Sequence, residues 1–221
     1  LLCAGGDLST ERLLEAYRRG IFPWYSKGQP ILWWSPDPRA VLFPGELRIS
    51  RSLAKSLRNR GFETRVDHAF GEVVTSCADA DLRPEGTWIS PDMQSAYRRL
   101  HELGYAHCVE TWLDGRLAGG LYGILLGRVF FGESMFTRVA NASKAALIAL
   151  ARGLFLIAEV AQARVAAARA REASVSNAHT EVVGTMAENP ARFTGHFDSR
   201  TGLPSRSIHS EKVVPLSGSN T

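Results

Sequence analysis

No run of about 18 apolar residues occurs anywhere in the 221-residue chain, so no segment reads as a membrane-spanning helix. Cysteine is scarce. Cys3, Cys77 and Cys108 are odd in number and unpaired in spacing, which argues against both a disulfide framework and a zinc site and fits a reducing, cytoplasmic setting. Six histidines are dispersed and none falls in a His-x-x-x-His pattern, so no metal is expected. The first seven residues, Leu1 to Asp7, have no basic region and no leading Met, and read as the start of a fragment rather than a signal peptide. There is no internal repeat. What remains is ordinary for a globular protein large enough to bury a core: 45% hydrophobic and 22% charged residues.

Charge is present in slight excess and unevenly placed. The net charge is +4 and the pI about 9.2. Residues 46–65 hold Arg48, Arg51, Lys55, Arg58, Arg60 and Arg65 against only Glu46 and Glu63. Such a patch suits a phosphate backbone, although a solvated helix face would read the same way.

Aromatics are concentrated. Three of the five tryptophans, Trp24, Trp33 and Trp34, lie within residues 21–41 together with Pro23, Pro30, Pro36 and Pro38. Rigid rings fixed by proline offer flat faces on which a nucleobase can stack, and they could equally fill a small core.

Periodicity predicts a helix over 9–19 with Leu13, Leu14 and Tyr17 on one stripe, a short strand over 31–34, and a helix over 50–60 whose basic residues lie off the Leu53/Leu57 stripe. A strand over 62–66 and a helix over 69–78 follow, then a polar loop over 81–86 and a helix opened by Ser90-Pro91. From His107 the period changes to two: strands over 109–113, 116–126 and 129–135, joined by Asp114-Gly115 and Gly127-Arg128 turns, form an antiparallel meander. Asn141 is expected to cap a helix over 142–157. Beyond it, 158–173 is Ala- and Arg-rich, as in an exposed helix, and residues 199–221 read as a disordered tail.

A second dense block is Gly119-Gly120-Leu121-Tyr122-Gly123 followed by Phe130-Phe131-Gly132-Glu133-Ser134-Met135. Glycines on a strand let a ligand approach the backbone, and Glu133 is an acid among aromatics. Such an acid is either functional or a structural carboxylate satisfied by nearby backbone.

These blocks, with Cys77-Ala78, Gly86-Thr87-Trp88-Ile89 and the run from Ala96 to His107, resemble the leucyl/phenylalanyl-tRNA-protein transferases nearly unbroken from Gly5 to about Leu147. The resemblance implies an α+β protein: a small N-terminal subdomain over 1–40, an acetyltransferase-like domain over 41–157 with a mixed sheet and flanking helices, and a divergent segment over 158–198. It implies transfer of Leu, Phe or Met from aminoacyl-tRNA to the N-terminal Arg or Lys of acceptor proteins, which marks them for degradation in the bacterial cytoplasm. By position, Trp24 and Trp88 would enclose the 3'-terminal adenosine, and Leu121 and Phe130 would line the amino-acid pocket. Glu133, with Ser134 beside it, would orient the reacting end, and Arg51, Lys55 and Arg58 would hold the acceptor stem. An aminoacyl ester is already activated, so no cofactor is expected.

The family carries a Leu-Ile-Asp-x-Gln strand after its last helix. Here Leu156-Ile157 is followed by Ala158-Glu159-Val160, while Glu172-Ala173-Ser174 can be set against the motif only with an insertion. The composition change suggests that the sequence diverges near residue 152, which would remove the Asp and Gln that assist the amine and leave a sheet edge open. Two other readings are an acyl-coenzyme A enzyme and a tRNA-binding relic. The first needs a Gly-rich pyrophosphate loop, and the nearest candidate, residues 116–121, runs on as strand.

Overall fold

The computed structural model describes residues 1–82, 86–180 and 214–215, and over 154–161, 172–180 and 214–215 it describes the course of the backbone only. Its centre is a four-stranded antiparallel sheet in the order β5 (Glu63–Val66), β6 (Ala106–Leu113), β7 (Arg116–Leu126), β8 (Val129–Thr137). Both predicted turns close the hairpins, with Asp114, Gly115 and Gly127 at positive φ. Strand alternation divides the core in two. Ala106, Cys108, Tyr122 and Ile124 pack with Leu13, Leu14 and Tyr17 of α1 (Thr10–Arg18), Val73 and Val74 of α3 (Phe70–Cys77), and Met93, Tyr97 and Leu100 of α4 (Pro91–Glu102). Their sequence neighbours Val109, Leu121 and Leu125, with Phe130, pack with Ala146 and Leu150 of α5 (Ala142–Thr180). Each such side chain, fully buried, contributes roughly 1.5–3 kcal/mol.

The N-terminal residues form a small antiparallel sheet in the order β1 (Cys3–Ala4), β3 (Leu32–Trp34), β2 (Phe22–Pro23). Trp33 and the α1 stripe belong to the same buried cluster as α3 and α4, so residues 1–40 share a core with the main sheet. A 3-10 turn (Pro44–Glu46) separates β4 (Val41–Leu42) from α2 (Arg51–Asn59), and β4 pairs with β9 (Val214–Pro215). The remainder of the tail expected to be disordered, like residues 83–85 of the polar loop, lies outside the described residues.

Four expectations are corrected. The described pairings are antiparallel throughout, not mixed, because the chain after residue 157 continues α5 instead of supplying another strand to this sheet. An Ala-rich stretch favours that continuation. Its docking side is not simply exposed: Gly104, at φ +82 after α4, leaves space in which an added Cβ would stand 2.8 Å from the Cβ of Arg164. Arg164 there reaches Asp67, with Nη1 and Oδ2 2.5 Å apart.

Asn141 does not cap α5. Its φ of +73 is left-handed, and its amide donates to Ser56 Oγ on α2 at 3.1 Å, while Thr137 Oγ1 accepts the Ser143 N–H at 3.3 Å. The strand glycines admit protein, not ligand. A Cβ on Gly119 would meet Ala142 at 2.6 Å, and one on Gly123 would strike the Phe130 ring and the Phe131 carbonyl.

Candidate active site

Glu133 sits where the β7–β8 register slips: Tyr122 faces Ser134 and Gly123 faces Gly132, so Glu133 is the extra residue of a bulge. The bulge carries its side chain to the tyrosine-rich face, where it is 6% exposed. Tyr97 Oη donates to Glu133 Oε2 at 2.8 Å, and Tyr17 Oη lies 2.7 Å from Tyr97 Oη. Since the Tyr97 proton is used on the carboxylate, Tyr17 is the donor in the second bond. Both phenols are delivered by ordinary amphipathic helices, Tyr17 on the Leu13/Leu14 stripe of α1 and Tyr97 between Met93 and Leu100 on α4. Ring contacts fix them, Tyr17 on Phe131 at 5.3 Å and Tyr97 on Tyr122 at 5.4 Å.

Burial pushes the Glu133 carboxyl up to about 7, even though the Tyr17 and Tyr97 hydroxyls and the positive charge of Arg39 favour its ionised form. Burial, reinforced by the Glu133 charge, drives both phenols well above their ordinary value. They therefore stay protonated as donors while Glu133 is poised to hold or release a proton near neutrality.

The other predicted residues are distributed around this carboxylate. Ser134 is its neighbour and is 9% exposed. Leu121 and Phe130 lie across the sheet from the tyrosines, packed against α5. Trp33 is core, with Nε1 donating to the Gly5 carbonyl at 2.9 Å, whereas Trp24 is 50% exposed and edge-on to Trp34, ring centroids 5.9 Å apart. Trp88 is half-buried against the α3/α4 core, just ahead of the Ser90 cap of α4. Arg51, Lys55 and Arg58 point outward from α2, and none has an ion-pair partner among the described residues. A shallow cleft of about 650 Å³ beside α3 and α4, lined by His68, Arg98, His101 and Arg138, contains none of these residues.

Sequence reasoning missed Tyr17, Tyr97 and Arg39. The tyrosines were legible only as core positions, and the one available signal was that a buried acid needs donors from somewhere.

A bulged carboxylate held by two phenols at the centre of an α+β fold defines a polar catalytic-type site inside an apolar core. The family model described as Leucyl/phenylalanyl-tRNA protein transferase matches residues 41–196, and that of its N-terminal domain matches residues 6–37. The chain belongs to this family. It is 66% identical over 154 residues to the leucyl/phenylalanyl-tRNA–protein transferase of Azoarcus sp. (strain BH72), covering 70% of this chain and 66% of that protein. The proteins of the same name from Chromobacterium violaceum and Aromatoleum aromaticum are 61% and 64% identical over the same length, covering 70% of this chain and 66% and 65% of theirs. The chain thus aligns with about two thirds of the length of these relatives.

Proposed function

We propose that this chain transfers Leu or Phe, and more weakly Met, from aminoacyl-tRNA to the N-terminal Arg or Lys of acceptor proteins. The observation that carries the reading is Glu133, a buried carboxyl that titrates near pH 7 in a mesh of phenolic donors. An acceptor α-amine has an ordinary pKa of about 7.7–8.0, so at neutral pH a carboxylate in this range can orient the ammonium and take up its proton. The amine lone pair attacks the ester carbonyl, the acyl–oxygen bond breaks, and the ribose 3'-oxygen leaves with a proton. The ester is activated, so orientation and proton management suffice.

Trp24 and Trp88 enclose the terminal adenosine in this proposal, and Trp24 has the exposed ring face that stacking requires. Leu121 and Phe130 form the floor of the amino-acid pocket on the α5 side, next to Met135, which pairs with Leu121 and is 38% exposed. The outward basic face of α2 takes the acceptor stem. A sheet with helices on both faces is compatible with the acetyltransferase-like fold that the family resemblance implies. No helix among the described residues is long and apolar enough to cross a membrane, and cytoplasmic action on tagged proteins is part of the proposal.

The relic reading is not favoured, because the family match continues to residue 196, past the point where the composition changes. The test is transfer of labelled leucine from charged tRNA to a peptide beginning with Arg, beside the same peptide beginning with Gly. Labelling of the Arg peptide alone is expected, and equal or absent labelling would refute the reading.

A further inference from the structure

Arg39 lies between β3 and β4, with its guanidinium over the Phe22 ring at 5.3 Å from Cζ to centroid. Gly20, at φ +71 just past α1, makes room for it: a Cβ there would stand 3.4 Å from Arg39 Nη1. The other terminal nitrogen, Nη2, is shut off from solvent and has no hydrogen-bond partner among the described residues. A buried donor left without an acceptor costs roughly 1–3 kcal/mol, and more when it is charged. Something must offset that cost.

Three kinds of group face the buried carboxyl: Tyr17 from α1, Tyr97 from α4 with Tyr122 of β7 against its ring, and Arg39 from the loop. Arg39 is the cation among them. In the reverse direction, burial pulls the guanidinium below its ordinary value while the charges of Glu133 and Tyr17 pull it back. The partnerless nitrogen and the buried acid therefore balance one another across the junction between the N-terminal sheet and β8.

We propose that Arg39 is a positioning residue for Glu133, its guanidinium serving as the fixed counter-charge that favours the carboxylate form and sets where that carboxylate sits. The role in transfer rests on the function proposed above; the electrostatic pairing does not. Arg39 acts through Glu133 and contacts no reacting atom in this account.

The test is the titration of Glu133 itself, followed by carboxyl carbon-13 NMR in the substrate-free protein and assigned with Glu133→Gln. An opposite charge a few ångströms from a carboxyl typically lowers its midpoint by 1–3 pH units. In Arg39→Gln the midpoint is expected to rise by about one pH unit or more, and in Arg39→Lys to stay within about half a unit of wild type. The rising limb of the pH–transfer profile should move with it. A midpoint unchanged in Arg39→Gln overturns the proposal. If that variant does not fold, Arg39→Lys decides: a midpoint raised by a full unit despite the retained charge overturns it, and a retained midpoint supports it. A wild-type chain that titrates as expected but transfers no leucine would sink the proposed function and leave the pairing standing.

Discussion

Arg164 on α5 and Asp67 at the end of β5 form an ion pair with Nη1 and Oδ2 2.5 Å apart, although 97 residues separate them in the chain. Asp67 is already engaged, accepting the Cys108 N–H at 3.0 Å and lying 2.7 Å from His107 Nδ1. The pair fastens the Ala- and Arg-rich extension of α5 to the strand that edges the sheet.

Arg164→Ala should therefore loosen the extension more than it destabilises the fold. Arg164 is 35% exposed, so solvent screens part of its charge and a loss of about 1 kcal/mol is expected. Asp67→Asn should cost more, because it also weakens the bonds to His107 and Cys108. Burial opposes the Asp67 charge, but the hydrogen bond and charge of His107, then His101 and the Cys108 N–H, hold its carboxyl below the usual range. A carboxyl lowered in the folded state adds stability above about pH 4 that is lost as pH falls through its folded value. The gap between wild type and Asp67→Asn in urea melts should be widest near neutrality and close toward pH 3.

Gly104→Ala tests the same contact from the other side. A left-handed φ of +82 costs an alanine about 1–2 kcal/mol, and its Cβ would press on Arg164. Amide exchange over 162–171 should quicken in this variant. Combined with Arg164→Ala, the two losses should add to less than their sum, whereas full additivity would mean that the helix does not dock here.

The meander was legible because its turns are written locally, in Asp114-Gly115 and Gly127-Arg128, and its alternation needs only neighbouring residues. Glu133 was legible as an acid among aromatics. Its setting was not: Tyr17 and Tyr97 stand 80 residues apart, each on a stripe indistinguishable from core, and only the packing of α1 on α4 joins their hydroxyls. The alternation of β7 and β8 already implied that Leu121 and Tyr122 face opposite ways, but the bulge that turns Glu133 toward the tyrosines depends on how β8 pairs. The continuation of α5 past residue 157 was hidden because few large apolar residues announce a docking face, and a glycine on another helix's end supplies it.

Glu133→Gln should stabilise the protein in alkaline solution. Its carboxyl, raised by burial to about 7 from an ordinary 4.5, favours the fold fully below its unfolded value, and that contribution is lost as pH rises through 7. The neutral amide keeps an oxygen to accept from Tyr97 and carries no charge to bury. Thermal melts should agree with wild type near pH 4 and exceed it at pH 8 by as much as about 3 kcal/mol, while leucine transfer falls. Equal stability at both pH values would mean that the carboxyl is better solvated than its 6% exposure implies.

The two tryptophans should part company. Trp24 is half exposed and touches mainly Trp34, so Trp24→Ala should weaken aminoacyl-tRNA binding by about 1–3 kcal/mol with little change in melting temperature. Trp88 packs on the buried cluster, so Trp88→Ala should lower both. A Trp24 variant that melts early and binds normally would return the ring to a packing role.

The basic helix offers the most direct test of RNA contact. Leu53 and Leu57 face inward on α2, Ser50 caps it through the Leu53 N–H at 3.2 Å, and Ser56 ties it to Asn141. Arg51, Lys55 and Arg58 share none of these contacts, so replacing all three with glutamine should leave the melt unchanged. If each neutralises one phosphate, the three release counterions on binding, and their removal should lower the magnitude of the log–log salt slope for tRNA by roughly 2–3. Affinity should then fall most at low salt, and the preference for Leu over small side chains should persist because that choice is made on the far side of β7. An unchanged slope would assign the α2 face to solvent and move the acceptor stem elsewhere on the surface.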